Sequence, residues 1–116
     1  MFNNTSFEPV KAVIVSEEDS NVSEIDLDIS SEKREIFRIF KGTATFIGMC
    51  YERNVVLMKC KETMFDLLEN RNKLPKPFDN EEEPIYGPVL FVRMNENSEP
   101  QDFTLEEYHA WLGTQA

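Results

Sequence analysis

A run of four consecutive apolar residues, Val89-Leu90-Phe91-Val92, is the feature that most constrains the fold of this chain. Neighbouring residues of a strand point to opposite faces of its sheet, so a strand without a polar position needs cover on both faces. The segment is entered through Tyr86-Gly87-Pro88, which is typical of a tight turn. We therefore predict a central strand that is buried on both faces.

The clearest alternation in the chain is Glu24-Ile25-Asp26-Leu27-Asp28-Ile29. Its apolar residues face one way and its acids the other, which predicts a half-buried strand with Asp26 and Asp28 on the exposed face. Residues 11–16 form a short apolar stretch that predicts a second strand. The polar cluster at residues 17–21 is predicted to join the two strands into a hairpin.

Two further segments, residues 43–49 and 54–60, are rich in β-branched and aromatic side chains, and the polar turn 51–53 joins them. The pattern predicts a second hairpin with Cys50 at the turn and Cys60 at the open end. At the rise of a strand the two cysteines are then ~24 Å apart, whereas a disulfide needs Cα atoms within ~7 Å. Both thiols are therefore predicted to be reduced and half-buried.

Helical patterns occur in three places. Residues 31–41 carry an apolar stripe among basic residues, which predicts an amphipathic helix. Thr104 and Glu107 form a capping box that opens a terminal helix, and Gly113 ends it. Residues 63–69 are predicted to form a shorter helix.

Together these elements predict an α+β fold in which two β-hairpins and a fifth strand form a largely antiparallel sheet, with two or three helices packed on one side of it. Residues 1–10 are predicted to be a flexible N-terminal arm, and residues 11–116 a single α+β domain. The N-terminus does not resemble a secretory signal, and the apolar runs are far shorter than the ~20 residues of a membrane helix. We therefore expect a cytoplasmic protein.

Charge is sorted along the chain rather than mixed. Residues 1–30 sum to −6, residues 31–78 to +4 and residues 79–116 to −8, which gives the net charge of −10. Such a charge argues against direct binding to nucleic acid or to an anionic membrane, because like charges repel. The block pattern indicates recognition of a basic protein partner, or self-association of acidic on basic surface.

The first functional hypothesis is a small acidic, non-enzymatic interaction protein that binds a basic protein partner. Its acidic surface is predicted from residues 17–28 and 79–107, and no cofactor or metal ion is expected. The candidate partner-binding residues are Glu17, Glu18, Asp19, Asp26, Asp28, Glu81, Glu82, Glu83, Glu106 and Glu107. An alternative hypothesis is a self-assembling structural protein, in which the basic middle of one copy meets an acidic end of another.

A further alternative is a small ligand- or metal-binding domain or a minor enzyme. Asp26 and Asp28 on one strand face could hold a divalent cation or act as an acid–base couple. The only histidine, His109, lies in the predicted terminal helix and has no nucleophile motif to serve. Acids on the exposed face of a strand more often only solubilise it, so we predict no catalytic residues.

The order of elements resembles an uncharacterised family of small single-domain proteins from bacteriophages, mobile elements, large algal viruses and algae. The most specific match is Ile85-Tyr86-Gly87-Pro88-Val89-Leu90-Phe91-Val92, preceded by the proline-bearing loop Leu74-Pro75-Lys76-Pro77. The resemblance covers residues 11–112, although residues 61–73 are longer and more helical than the corresponding loop and residues 96–103 add length. It implies a fold and a viral or accessory role, and it brings no catalytic residues.

Overall fold

A computed structural model describes residues 9–17, 21–28, 35–40, 42–61, 68–76, 78, 84–97 and 99–114 of the chain. The elements within them are β1 (Val10–Val15), β2 (Val22–Leu27), α1 (Glu35–Phe40), β3 (Ala44–Cys50), β4 (Val55–Cys60), β5 (Glu69–Asn70), β6 (Ile85–Tyr86), β7 (Val89–Met94), β8 (Pro100–Gln101) and α2 (Leu105–Gly113). Strands predominate, and the two helices are short. The predicted α+β class therefore holds in a coarser form, as a predominantly β structure.

The main sheet has the strand order β2-β1-β7-β4-β3, and all neighbouring strands are antiparallel. β7 lies between the β1–β2 and β3–β4 hairpins, so the predicted central position of Val89-Leu90-Phe91-Val92 is confirmed. β4 occupies one edge of β7 as far as Arg93, and the short β8 pairs with Arg93 and Met94 on the other edge, beyond β1. β5 and β6 form a separate two-stranded sheet.

Alternate residues of β7 enter two apolar clusters on opposite faces of the sheet. Val89 and Phe91 point to the face that α2 covers, which we call the α2 face. Leu90 and Val92 point to the opposite face, which α1 covers through Phe40 and which we call the α1 face. The prediction that the helices gather on one side was wrong, because a strand that is apolar on both faces needs cover on each.

The second hairpin has the predicted arrangement, with Cys50 beside the turn and Cys60 at the open end. Neither cysteine forms a disulfide, and both side chains are buried rather than half-buried. The turn includes Asn54 with a φ of 56°, a left-handed conformation that asparagine adopts more readily than most residues. The register of β3 shifts between Phe46 and Gly48, which marks a β-bulge in this edge strand.

Some predicted boundaries differ from the structure. Val10, the predicted end of the N-terminal arm, begins β1, and residues 1–8 of the arm lie outside the described residues. The predicted helix over 63–69 also falls mostly outside them, and its last residue, Glu69, lies in β5. Of the predicted helix over 31–41, the structure describes Glu35–Phe40, which form α1, and the remaining residues lie outside the described ones.

Two asparagines, one in β5 and one just after it, fix this part of the chain to the end of β1 and to the turn before β7. The side-chain amide of Asn70 donates to the carbonyls of Val15 and Gly87, each at 3.0 Å. The amide of Asn72 donates to the carbonyl of Ser16 at 2.7 Å and to Oδ1 of Asn70 at 2.8 Å. The end of β1 and the turn before β7 are thus held by directed polar contacts.

We expect Phe91→Ala to lower the free energy of unfolding by about 3–5 kcal/mol, because it empties a packed core site. The Phe91 side chain is 0% exposed. Four rings surround it at centroid distances between 5.1 and 6.5 Å, those of Phe78, Phe103, Tyr108 and Trp111. Urea denaturation in dilute solution measures the change. Phe46→Ala, at a 65% exposed position, is the control and should cost less than about 0.5 kcal/mol; equal losses would contradict this core.

Candidate functional site

The predicted acidic surface is only partly within the described residues. Glu17, Asp26, Asp28, Glu106 and Glu107 are described. The remaining candidates, Glu18, Asp19, Glu81, Glu82 and Glu83, lie outside the described residues. The geometry below therefore concerns the first group and its neighbours.

Acids from the two ends of the chain meet between β2 and the first turn of α2. The backbone N–H of Leu105 donates to Oε1 of Glu24 at 3.0 Å, across 81 positions of sequence. Asp26 lies two residues beyond Glu24 on β2, and its side chain is 70% exposed. The acidic cluster, as we call this group, consists of Glu24, Asp26, Asp102, Glu106 and Glu107.

Lys11 of β1 forms ion pairs or hydrogen bonds with three members of the acidic cluster. Its Nζ lies 2.8 Å from Oδ1 of Asp26 and 3.9 Å from Oε2 of Glu24. Its backbone N–H donates to Oδ1 of Asp102 at 2.9 Å. The hydrogen bond and the charge of Asp26 raise the pKa of Lys11 above its ordinary value. Because the Lys11 side chain is 44% exposed, these ion pairs are screened by solvent and contribute little to stability.

Arg93, at the end of β7, forms an ion pair with Glu107 of the acidic cluster and joins four regions of the fold. Its Nη1 lies 2.8 Å from Oε2 of Glu107 and donates to the carbonyl of Asp102 at 2.9 Å. Its Nε donates to the carbonyl of Arg53 at 3.1 Å. The guanidinium carbon lies 5.1 Å from the centroid of the Phe103 ring, within the range of a cation–π contact. Arg93 therefore holds the start of α2 against the sheet.

Glu107 completes the predicted capping box. Oγ1 of Thr104 accepts the backbone N–H of Glu107 at 3.1 Å, and Oε1 of Glu107 accepts the backbone N–H of Thr104 at 3.2 Å. Burial raises the pKa of Glu107, but the hydrogen bonds from Arg93 and Thr104 outweigh it, so its pKa lies below the ordinary value. Glu107 thus fixes the helix, and its charge is paired with Arg93.

Asp28 does not share the exposed face with Asp26. Its exposure is 8%, and it follows the last residue of β2, Leu27. Its backbone N–H donates to Oε1 of Glu35 at 2.8 Å, at the start of α1. The prediction of a carboxylate pair on one strand face was wrong, because β2 ends before Asp28 and the alternation ends with it.

His109 lies on the exposed side of α2, and its ring is 6.0 Å from that of Tyr108. Burial raises the pKa of Tyr108 to about 12. Within the described parts of the chain, no group of three or more His, Cys, Asp or Glu side chains is placed to hold a metal ion. The contacts between β2, Lys11, Arg93 and the start of α2 make the acidic cluster the candidate site that the fold assembles.

Sequence reasoning did not single out several residues that build this site. Glu24 and Asp102 lie within the predicted acidic ranges, residues 17–28 and 79–107, but neither is named among the candidates. Glu24 alternates with Asp26 on the same strand face, so the pattern that selected Asp26 also points to Glu24. Lys11 and Arg93 have no such local signal. Their roles depend on contacts between β1, β7 and the segment before α2, which are distant in sequence.

The fold and the cluster define an acidic, predominantly β protein built on an antiparallel sheet. The model of a family of unknown function (DUF5880) matches residues 13–111, from within β1 to within α2, and the chain belongs to this family. The matched range nearly coincides with the residues 11–112 expected from the sequence resemblance. No curated protein and no solved structure matches the chain. Among the described residues, no helix has the length and apolar character needed to cross a membrane.

We expect Arg93→Lys to lower the free energy of unfolding by about 1–3 kcal/mol. Lysine keeps the charge, but its ammonium cannot reproduce the planar fork that reaches three acceptors on different segments. Chemical denaturation measures the loss. Arg38→Lys, at an exposed position of α1, is the matched control and should change stability by less than about 0.5 kcal/mol. Similar losses in the two variants would contradict the anchoring role of Arg93.

The lowered pKa of Glu107 predicts a pH-dependent part of the stability. Its contribution is complete above the ordinary pKa of 4.5 and is lost as the pH falls through the lower pKa of the folded state. We expect Glu107→Gln to have a lower melting temperature than the natural protein at neutral pH. The difference in melting temperature should become smaller as the pH falls below 4.5. Thermal unfolding as a function of pH measures this. Glu106→Gln, which removes a charge from the exposed neighbouring residue, is the control. If its melting temperature approached that of the natural protein under acid by the same amount, the pH dependence could not be assigned to Glu107.

Proposed function

We propose that this protein is a small non-enzymatic interaction module that binds a basic protein segment through the acidic cluster. The observation that carries the proposal is the contact of β2 with the N-terminus of α2, which joins the two acidic parts of the chain. Five carboxylates against two cations, Lys11 and Arg93, leave an excess of three negative charges. Such an excess favours a partner with lysine or arginine side chains.

The carboxylates of the cluster divide into two groups with different roles. Glu24 and Glu107 hold the start of α2 and are tied to internal donors. Asp26, Asp102 and Glu106 are exposed, although Oδ1 of Asp26 and Oδ1 of Asp102 each accept a hydrogen bond from Lys11. The first group positions the surface, and the second group contacts the partner. Recognition of this kind relies on solvent-exposed ion pairs, so it weakens as salt is added.

The remaining predicted acids extend the same proposal. Glu17 follows β1, where the Ser16 hydroxyl donates to its Oε1 at 3.4 Å. Glu18, Asp19 and the run Glu81-Glu82-Glu83 are proposed to enlarge the acidic surface from segments outside the described residues. A cytoplasmic location, a viral or accessory role and an N-terminal arm before a single domain belong to the same proposal and follow from the sequence arguments.

Binding of a fluorescent lysine- and arginine-rich peptide tests the proposal. We expect binding at low salt that weakens as the salt concentration rises. The double variant Asp26→Asn with Glu106→Gln should weaken binding by about twofold to thirtyfold, because each exposed pair contributes about 0.2–1 kcal/mol. Fluorescence anisotropy titrations at several salt concentrations measure both effects.

A charge-matched control distinguishes the effect of where the acids lie from the effect of the net charge of the protein. Glu52→Gln with Glu96→Gln removes two acids from exposed positions outside the cluster, in the β3–β4 turn and the β7–β8 loop. This variant has the same net charge as the other and should bind almost as well as the natural protein. Equal losses in the two double variants would rule out the acidic cluster as the binding surface. Absence of peptide binding at low salt would rule out the proposal itself.

A further inference from the structure

β3 is an edge of the main sheet, and within the described residues no strand pairs with its outer side. Its seven residues, Ala44–Cys50, carry no charge. Phe46 is 65% exposed and Ile47 is 40% exposed. An uncharged edge strand with large exposed apolar side chains is a template for pairing with another chain.

The opposite edge, β2, is complementary to β3 on the α2 face. The register places Glu24 beside Val13 and Asp26 beside Lys11, so both acids lie on the α2 face. On the other edge, Lys59 of β4 lies on the α2 face beside Val89, and its neighbour on β3 is the small Thr45. A lysine one strand inside the edge, behind a short side chain, can extend toward acids on a strand placed against β3.

The two edges also match on the α1 face. Ile25 of β2 lies beside the buried Ala12, and Phe46 of β3 lies beside the buried Met58, so both side chains are on the α1 face. Placed edge to edge with the same faces aligned, β2 and β3 therefore bring acid to base on one face and apolar to apolar on the other.

We propose that copies of this protein associate head to tail, with β2 of one copy paired to β3 of the next. β2 and β3 run in the same direction within the sheet, because four antiparallel steps separate them. Keeping the faces aligned makes the new pair parallel. The contact is heterologous, so it leaves a free edge at each end and permits chains of more than two copies.

The β-bulge in β3 limits the length of regular pairing at this edge. The association is therefore weak and reversible, and it depends on concentration. The inference goes beyond the proposed function: its test uses no basic peptide, so self-association and peptide binding can each fail alone.

Sedimentation over a wide range of protein concentration tests the inference. We expect the average mass to exceed twice the 13.5 kDa of one chain at high concentration and to fall toward 13.5 kDa as salt is added. Phe46→Lys should abolish association by placing a charge on the β3 edge. Leu68→Lys, at a 63% exposed apolar position outside both edges, is the matched control and should associate normally. Ile47→Lys blocks the same edge if Phe46→Lys does not fold.

Mixing two blocked variants identifies which edges pair. Phe46→Lys retains a normal β2 edge, and Asp26→Lys retains a normal β3 edge. We expect each variant alone to be a monomer, and the mixture to form one-to-one dimers that grow no further. The inference is overturned if the natural protein is a monomer at all concentrations, if the mixture does not associate, or if Asp26→Lys alone forms dimers, which would indicate two-fold pairing of β3 with β3.

Discussion

Burial of β7 on both faces is the constraint on which the rest of the structure depends. Val89, Leu90, Phe91 and Val92 are each 0% exposed, and a strand of this kind cannot lie at an edge. Each large apolar side chain removed from water contributes about 1.5–3 kcal/mol, so uncovering either face would cost several of these contributions. A hairpin on each edge and a helix on each face satisfy this requirement. The order β2-β1-β7-β4-β3 is the direct result.

The apolar clusters hold α2 to the sheet, whereas polar contacts decide where the helix begins. The capping box of Thr104 and Glu107, the guanidinium of Arg93 and the carboxylate of Glu24 all act within the first turn or just before it. The same contacts bring the acids of β2 and α2 together. The acidic cluster is thus a consequence of how α2 is fixed, which explains why only some of its carboxylates are free to meet a partner.

Local patterns in the sequence predicted the elements that depend on local physics. Alternation in residues 24–29, with a short apolar stretch before it, predicted the first hairpin, and β-branched and aromatic composition around a polar turn predicted the second. The apolar run predicted the central strand, and the capping box predicted the start of α2. The features that the sequence did not predict depend on where elements end and on contacts between distant segments. The environment of Asp28 depends on where β2 ends, and the site role of Arg93 depends on a loop and a helix that follow it. β5, β6 and β8 have two residues each, too few for any periodic pattern to appear.

The two edge strands of the sheet, β2 and β3, differ in how they are protected against pairing with a strand of another chain. β2 carries Glu24 and Asp26, and charge on an edge strand discourages pairing with a like strand. β3 carries no charge and has only a bulge, so a strand whose acids face Lys59 of the neighbouring β4 can still approach it. In the proposed arrangement Asp26 serves both a basic partner and a second copy. The two events then compete for one carboxylate, and a bound partner would shorten the chains of copies by mass action.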